Sequence, residues 1–219
     1  MRYLIGMEMR RYDLCIIGGG INGAGVARDA AMRGLSVLLL EQGDLASATS
    51  SASTKLVHGG LRYLEFYEFA LVRESLKERE RLLKIAPHII WPLDFVLPHH
   101  AGVRPLWMIR AGLFLYDILG GRKTLKSSQY LRLSRHEYGA PLKNEFKSGF
   151  SYADCWVQDA RLVVLNAMDA RARGADILTR HTVTALENAA DHWKVTYQGN
   201  GDQTTIQADM VVNAAGPWV

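Results

Sequence analysis

The residues from 13 to 42 constrain the fold of this chain more strongly than any other stretch. An apolar run at residues 13–17 leads directly into the glycine-rich sequence GGGING, residues 18–23. A small, alanine-rich stretch then continues to Arg33 and Gly34, and a second apolar run at residues 35–40 ends beside Glu41. Short apolar runs bounded by glycine are typical of buried strands, and an alanine-rich stretch ended by glycine is typical of a helix packed on a sheet. The pattern predicts a strand, a tight turn, a helix and a second strand.

That order is the context in which the pattern G-x-G-x-x-G binds a dinucleotide, whereas the pattern alone is weak evidence. Gly18 permits the tight turn, Gly20 lets the backbone approach a pyrophosphate, and Gly23 lets the helix pack closely on the strand. The amino terminus of the helix offers N–H groups and the positive end of its dipole to phosphates. A glycine turn without a ligand is the alternative interpretation, and the complete context disfavours it. The predicted dinucleotide contacts are Gly18, Gly20, Ile21, Asn22, Gly23 and the ribose-binding Glu41.

The remaining sequence predicts an α/β organisation. Helices are predicted at residues 65–85, 106–119 and 159–173, and strands at residues 182–186, 193–198, 204–207 and 210–213. Residues 92–105 contain three prolines and are predicted to be extended or irregular, and residues 123–150 to be irregular. The chain ends just after the last apolar strand, which predicts a truncated domain.

Composition narrows the class of protein. Apolar residues make up 48% and charged residues 22% of the 219 residues, which predicts a soluble globular core. The net charge of +4 is modest and predicts no binding to nucleic acid. Two distant cysteines, Cys15 and Cys155, are typical of a reducing compartment. The pair His99-His100 has no acidic or cysteine partner at ligand spacing, so no metal site is predicted.

A basic segment overlaps the most apolar window of the chain. Residues 104–135 contain seven basic residues and one acidic residue, Asp117. Such a face is either a solvated surface or a site for anionic lipid or a phosphorylated ligand. The apolar window, residues 106–119, is shorter than the about 20 residues that span a membrane. It predicts a core helix, with a helix in the membrane interface as the alternative.

Long stretches of the sequence resemble one family. The stretches are IIGGGINGAGVARDAAMRGLSVLLLEQGDLASATSSASTKLVHGGLRYLE, LVRESLKERERLLKIAPHIIWPL, RPLWMIRAGLFLYDILGGR, GFSYADCWVQDARLVVLNAMDARARGA and VVNAAGPWV. Together they are similar to the FAD-dependent, respiratory (aerobic) glycerol-3-phosphate dehydrogenases, and they cover nearly the whole chain in order. Only residues 123–147 and 191–207 are unremarkable. The match is to the amino-terminal portion of the family.

The resemblance implies a Rossmann-like FAD-binding domain of glutathione-reductase type, interleaved with part of a substrate-binding region. Residues 11–64 and 151–219 are expected to form the incomplete FAD-binding domain, and residues 65–150 a helical and irregular region facing substrate and membrane. Family members have a further carboxy-terminal part, which is expected to be missing. The predicted three-stranded meander before Ala214-Ala215-Gly216 also favours FAD over NAD, by analogy with two-domain flavoproteins.

The resemblance also implies an activity. Members oxidise sn-glycerol 3-phosphate to dihydroxyacetone phosphate by hydride transfer from C2 to flavin N5, and the electrons pass to membrane quinone. A cytoplasmic enzyme attached peripherally to the inner face of the cytoplasmic membrane is therefore expected, and a homodimer is left open.

Several site residues follow from the resemblance alone. Arg62 is expected to bind the substrate phosphate, and Tyr63 to donate a hydrogen bond to the substrate. His58 is expected to stabilise the flavin or to take part in proton transfer, with a purely structural histidine as the alternative, and the general base stays unassigned. The residues expected to contact FAD are Ser50, Ser51, Ser53, Lys55, Leu56, His58, Gly59, Gly60, Val183, Ala214, Ala215, Gly216 and Trp218.

Three other functions stay open. The first is an oxidase that passes electrons from the same substrate to oxygen. The second is a fragment that binds without turnover. The third is an amino-acid or amine oxidase of the same superfamily, which the match around Arg62-Tyr63 disfavours.

Overall fold

The computed structural model describes residues 9–121 and 124–218, and these divide into two compact units. The first unit consists of the described parts of Met1–Ser53 and Asp159–Val219, and the second unit is Thr54–Gln158. The predicted boundaries, after residues 64 and 150, both lie inside the second unit. They differ from the observed ones because the strand Leu56–Val57 pairs with Cys155 and Trp156, which ties both flanking stretches to the second unit.

The first unit is built on a six-stranded mixed sheet with the order β7-β2-β1-β10-β9-β8. Strands β7, β2, β1 and β10 are parallel, whereas β10, β9 and β8 form an antiparallel meander. This sheet confirms the predicted α/β, Rossmann-like class. Its elements are β1 (Arg11–Ile17), α1 (Ile21–Met32), β2 (Val37–Glu41), α4 (Asp159–Ala172), β7 (Asp176–Thr179), β8 (His181–Ala189), β9 (His192–Gly199) and β10 (Asp202–Asn213).

The core of the first unit lies on both faces of β1 and β2. Ile16 and Leu39 pack against the alanines of α1, whereas Cys15, Leu38 and Leu40 belong to a second cluster that includes residues of β9 and β10. Alternate residues of a strand point to opposite faces, so both faces of these strands are buried. The small alanine side chains let α1 approach the sheet closely, which places the helix amino terminus at the strand ends.

The second unit is a small antiparallel sheet with two helices. Strand β6 is central, between β3 and β4, and also pairs with β5. The helices α2 and α3 share a core cluster formed by Val72, Leu76 and Tyr116. The elements are β3 (Leu56–Val57), a 3-10 helix (Leu61–Phe66), α2 (Phe69–Ile85), β4 (Ile90–Pro98), α3 (Leu106–Leu119), β5 (Gln129–Leu131) and β6 (Gly149–Val157).

Some predicted elements differ from the observed ones. Residues 92–98 of the proline-containing stretch are extended, as one of the two expected alternatives, and form most of β4, an edge strand where a missing N–H is tolerated. The strands predicted at 204–207 and 210–213 are one strand, β10. The helix predicted from residue 65 begins at Phe69, because Tyr67 adopts a positive φ of 59° after the 3-10 helix. Strands β3, β5, β6 and β7 were not predicted, and β5 lies within residues 123–150, which were expected to be irregular.

Helix α3 has the predicted bounds but little of the predicted burial. Only Leu113 and Tyr116 are buried, and Trp107 is 71% exposed. The prediction of a core helix is therefore wrong for most of this surface. Across the described residues, the structure contains no helix of the length and apolarity needed to cross a membrane.

Candidate functional site

The first unit contains a cleft where three parallel strands end. Its volume is about 680 Å³, and the ends of β1, β2 and β10 lie in its wall. Ligands of open α/β sheets bind outside the carboxyl ends of the strands, so the position is typical of a dinucleotide site. The predicted cofactor residues that line it are Gly18, Gly20, Ile21, Asn22, Glu41, Ser50, Val183, Ala214, Ala215 and Gly216.

The glycine turn is fixed by backbone packing. Gly18 has a φ of 110°, and a Cβ there would lie 2.5 Å from the carbonyl oxygen of Ala214. A Cβ on Gly23 would collide with the carbonyl oxygen of Gly18. The opposing atoms belong to the backbone and cannot rotate away. The turn can therefore form only with glycine at these two positions, as the sequence predicted from geometry.

The amino terminus of α1 lies in the wall of the cleft, which Gly20, Ile21 and Asn22 line. Gly20 is the N-cap residue and has no side chain that could cap the helix. The Ile21 N–H donates to Ser50 Oγ at 2.9 Å. Within residues 9–121 and 124–218, the N–H groups of Gly20 and Asn22 make no hydrogen bond. Free N–H groups at a helix amino terminus fit a diphosphate, because they supply donors and the positive end of the dipole.

Glu41 lines the cleft, and its carboxylate also accepts hydrogen bonds from the backbone next to the cleft. Its Oε2 accepts the Gly19 N–H at 2.6 Å, and its Oε1 accepts the Gly43 N–H at 2.7 Å. Each carboxylate oxygen has a second lone pair, so the side chain can still accept hydrogen bonds from a ribose diol. The predicted ribose residue therefore has a second task, because it joins the end of β2 to the glycine turn.

A second turn follows β10. Asn213 Oδ1 accepts the Ala215 N–H at 3.1 Å, and Gly216 adopts a φ of 70° at the start of the 3-10 helix Gly216–Trp218. The Ala214 N–H donates to the Ile17 carbonyl at 2.8 Å, which holds this turn beside the first one. The fit to FAD rests on this arrangement, because two turns made of glycine and alanine line one cleft and leave room for a ligand against their backbone.

Three predicted contacts of the first unit, Gly23, Ser51 and Ser53, do not line the cleft. Gly23 lies behind the turn, where it serves packing. Ser51 Oγ donates to the Ala48 carbonyl at 3.1 Å, and Ser53 Oγ donates to Asp159 at 2.8 Å. Trp218 ends the 3-10 helix, and its side chain lies outside the part of the chain that the structure describes. The cofactor contacts predicted for these residues stay predictions.

The cleft also has lining residues that the sequence did not reveal. Gln42, Gly43 and Asn213 adjoin motif residues, so adjacency along the chain was a usable signal. Thr182 likewise adjoins the predicted contact Val183, whereas His181 is brought to the cleft at the start of β8 by the sheet order. The other unpredicted lining residues are Ile17, Leu40, Ala46, Ser47, Ala48, Thr49 and Pro217.

The other predicted site residues lie in the second unit. Leu56 is in β3, preceded by Lys55 with a φ of 57°. Gly59 and Gly60 are buried, and the left-handed Gly60, with a φ of 70°, begins the 3-10 helix. His58, Arg62 and Tyr63 are exposed on either side of the two glycines. The segment therefore presents three polar side chains from an anchored backbone.

Hydrogen bonding restricts what His58 can do. The Gly60 N–H donates to His58 Nδ1 at 2.9 Å. A neutral imidazole that accepts at Nδ1 carries its proton on Nε2. The exposed side of His58 is therefore a hydrogen-bond donor in the neutral state, which favours stabilisation of an acceptor over removal of a proton.

Arg62 is available to an anion. Its guanidinium is exposed and makes no ion pair or hydrogen bond with any residue that the structure describes. Nearby basic residues are engaged: Arg104 pairs with Glu65 at 3.2 Å, and Arg110 donates to the Ser128 carbonyl at 3.1 Å. A free planar guanidinium suits bidentate binding of a phosphate.

The histidine pair has ordinary structural contacts. His99 Nε2 lies 3.1 Å from the Arg104 carbonyl oxygen, and His100 Nδ1 accepts the Gly102 N–H at 3.1 Å. Among the described residues, no three or more His, Cys, Asp or Glu side chains are grouped to hold a metal ion.

Comparisons with known proteins agree with this geometry. The chain is 58% identical to D-erythritol 1-phosphate dehydrogenase of Brucella abortus over 97% of its own length and 43% of that protein. It is 55% identical to aerobic glycerol-3-phosphate dehydrogenase of Escherichia coli, over 96% of the chain and 42% of that protein. The chain thus spans about two fifths of these curated relatives. The predicted resemblance to the amino-terminal portion of such dehydrogenases is confirmed.

A solved structure extends the likeness to the fold. The crystal structure of glycerol-3-phosphate dehydrogenase from Bacillus halodurans complexed with FAD matches with a TM-score of 0.70 and 32% identity, over 95% of this chain and 35% of that one. The family model for FAD dependent oxidoreductases (DAO) matches residues 13–219. The predicted cofactor, FAD, and the oxidoreductase class are thereby confirmed. The chain belongs to the family of FAD dependent oxidoreductases.

Proposed function

We propose that this chain supplies the FAD site and part of the substrate site of a dehydrogenase that oxidises sn-glycerol 3-phosphate to dihydroxyacetone phosphate. The observation that carries the proposal is the unpaired, exposed Arg62 beside His58 and Tyr63 in a chain of this family. When bound, FAD supplies a two-electron acceptor at N5 for the hydride from substrate C2, while the hydroxyl proton leaves to a base.

The residues of this chain bind and orient. In the proposal, the free N–H groups of Gly20 and Asn22 bind the pyrophosphate and Glu41 accepts from the ribose diol. Arg62 binds the substrate phosphate through two parallel N–H donors, and Tyr63 donates to the substrate. His58 donates from Nε2 to the flavin or to the developing oxyanion. A charge-assisted or oriented donor of this kind lowers the energy of negative charge that forms during reaction.

A direct experiment tests cofactor and substrate together. The full-length enzyme is purified, its flavin absorption bands are recorded, and glycerol 3-phosphate is added without oxygen. Bleaching of the bands supports the proposal. Unbleached flavin with glycerol 3-phosphate, or bleaching with amino acids instead, would contradict it.

A second candidate substrate is D-erythritol 1-phosphate. The supporting observation is the 58% identity to a dehydrogenase named for that compound. This value is close to the 55% identity to the glycerol-3-phosphate enzyme. Both compounds are polyol phosphates, so both would use the same cation and the same hydride acceptor. The ratio of kcat/KM for the two substrates, measured on the full-length enzyme, decides between them.

We further propose membrane quinone as the electron acceptor and peripheral attachment to the cytoplasmic face of the membrane. The support is the exposed apolar surface of α3, which includes Trp107 (71% exposed), Met108, Phe114 and Ile118. Exposed apolar side chains on a helix near basic residues suit the membrane interface. A surface covered by another part of the protein is the competing explanation.

Liposome sedimentation tests the attachment. Trp107→Ala with Phe114→Ala should weaken binding of the full-length enzyme to anionic vesicles. The matched control is Met168→Ala, which removes a 57% exposed apolar side chain from the first unit. Unchanged binding of the double variant would contradict attachment through α3. Light scattering of the same preparations tests the homodimer.

The acceptor and the activity of the isolated chain need separate measurements. Stoichiometric hydrogen peroxide from the full-length enzyme would favour the oxidase over the quinone-linked dehydrogenase. Dye reduction by the 219-residue chain alone would contradict the alternative that this chain only binds.

A further inference from the structure

A buried polar network crosses the second unit behind the His58 segment. Arg79 of α2 and Asp154 of β6 are 6% and 3% exposed, and Arg79 Nη1 lies 2.6 Å from Asp154 Oδ1. Tyr116 of α3, also buried, donates its hydroxyl proton to the same carboxylate at 2.9 Å. Three secondary-structure elements thus converge on one carboxylate.

Burying a charged carboxylate at Asp154 costs free energy. The flanking residues on its face of β6 are Tyr152 and Trp156, and the residues paired with those two on β4, Phe95 and Trp91, stack on them. Burial raises the pKa of the Asp154 carboxyl, while the Arg79 guanidinium and the Tyr116 hydroxyl act to lower it. Replacing such a buried pair with apolar side chains is often neutral or stabilising. Stability alone therefore gives a weak reason for this network.

The network ends on the backbone of the predicted site. The Gly59 N–H donates to the Tyr116 hydroxyl oxygen at 2.8 Å. Burial raises the pKa of Tyr116, so the phenol stays neutral and keeps one proton. Because the Gly59 amide takes up an acceptor site of the hydroxyl, that proton is directed to Asp154. The order of hydrogen bonds is fixed, from Gly59 to Tyr116 to Asp154, with Arg79 compensating the charge.

Gly59 has no freedom to move inward. A Cβ on it would collide with Leu76, and would lie 2.8 Å from the Tyr116 hydroxyl. The next residue, Gly60, donates to the ring of His58, so the peptide units around Gly59 set the orientation of the imidazole. The two adjacent amides thus join the buried Tyr116 hydroxyl on one hand and the ring of the exposed His58 on the other.

We infer that Tyr116 and Asp154 are positioning residues, which act through the Gly59 amide to hold His58 and its Nε2–H in a fixed direction. Neither residue touches substrate in this arrangement. The inference rests on the proposed function, because it assigns a purpose to the His58 segment in that reaction. Small displacements of a group that contacts reacting atoms reduce rate strongly, so a rigid support behind that group has a clear use.

Hydrogen–deuterium exchange on the full-length, FAD-loaded enzyme tests the inference. In Tyr116→Phe, we expect peptides within residues 54–66 to exchange roughly tenfold faster, the effect of losing about one hydrogen bond. Peptides of β4 should be unchanged. We also expect kcat to fall about tenfold or more while KM for the polyol phosphate changes by less than about twofold, since Arg62 is retained.

Tyr12→Phe is the matched control. Tyr12 is buried to a similar degree and donates to a carboxylate, Asp176, at 2.7 Å in the first unit. It should leave exchange at residues 54–66 and kcat unaltered. Faster exchange spread evenly over residues 54–158 in Tyr116→Phe would overturn the inference, because it would show a general structural role. Unaltered exchange at residues 54–66 would overturn it too.

Two further outcomes stay informative. If Tyr116→Phe does not fold, Asp154→Asn is measured instead, and faster exchange confined to residues 54–66 supports the inference whereas unaltered exchange overturns it. If the wild-type enzyme oxidises neither polyol phosphate, the proposed function fails. The exchange comparison still decides whether Tyr116 holds the Gly59 segment.

Discussion

The two glycine-rich segments of this chain are fixed in different ways. At Gly18 and Gly23 of the first segment, the atoms that exclude a Cβ are backbone atoms of Ala214, Ala215 and Gly18. At Gly59, the excluding atoms belong to the side chains of Leu76 and Tyr116. Backbone atoms cannot rotate out of the way, whereas a side chain can change its rotamer or be shortened by substitution. The comparison teaches that backbone atoms exclude any side chain at Gly18 and Gly23, whereas the space at Gly59 depends on which side chains surround it.

The largest effect is expected from Gly23→Ala. The added Cβ meets the Gly18 carbonyl oxygen, which cannot move without opening the turn, so we expect a loss of about 3 kcal/mol or more and loss of bound FAD. Urea unfolding and the flavin absorption bands of the full-length enzyme measure both. Gly25→Ala is the control in the same helix, since a Cβ there meets nothing within 4 Å. It should stabilise by about 0.5–1 kcal/mol. Equal effects of the two variants would break the comparison.

The next effect concerns Arg62 in the second unit. Arg62→Ala should lower kcat/KM for a polyol phosphate about a hundredfold, because it removes a charged, bidentate contact worth about 3 kcal/mol. Stability should change little, since the exposed side chain makes no ion pair or hydrogen bond with any described residue. Arg81→Ala, which removes an exposed guanidinium paired with Glu78 at 3.0 Å, is the control. Similar kinetics for Arg62→Ala and wild type would refute the assigned role.

A smaller effect is expected from Gly59→Ala. Its Cβ meets flexible side chains, so we expect a loss of about 1–3 kcal/mol rather than collapse of the fold. Shortening the obstructing side chain in the double variant Gly59→Ala, Leu76→Val should recover part of that loss. A double-mutant cycle from urea unfolding measures the coupling. Absence of coupling would show that Gly59 is fixed by its backbone like Gly23, and would remove the distinction between the segments.

The smallest effect is expected from removing an ion pair between two helices of the first unit. Arg28 of α1 donates to Asp169 of α4 at 2.6 Å, and this hydrogen bond is the main cause that lowers the pKa of Asp169. The pair is about one-third exposed, so Asp169→Asn should cost about 0.5–1 kcal/mol at pH 7. A lowered carboxyl pKa contributes stability above its unfolded value of 3.8, and the contribution is lost as the pH falls through the folded value. The difference in unfolding free energy between Asp169→Asn and wild type should therefore be smaller near pH 3 than at pH 7. A difference in unfolding free energy that grows as the pH falls would contradict this expectation.

Tertiary packing explains where sequence-based prediction stopped. Strand β3 has two residues and no periodic signal, and β7 was hidden between a helix and a strand that were both predicted. Helix α3 is apolar enough to suggest a core, yet its neighbours bury only Leu113 and Tyr116. Apolarity predicts that a surface will be covered, but it does not identify the covering partner.

The sequence by itself determined the dinucleotide turn, the acidic residue after the second strand and the resemblance that named FAD. The turn depends partly on a steric limit within a few residues, because a Cβ on Gly23 meets the Gly18 carbonyl oxygen, and the resemblance depends on residue identities alone. Only the tertiary structure decided that Glu41 also braces the turn, that His58 presents Nε2–H, and that Tyr116 and Asp154 lie behind Gly59. Those contacts join residues up to 95 positions apart, such as Gly59 and Asp154, through Tyr116, and no local pattern specifies which distant side chains will meet.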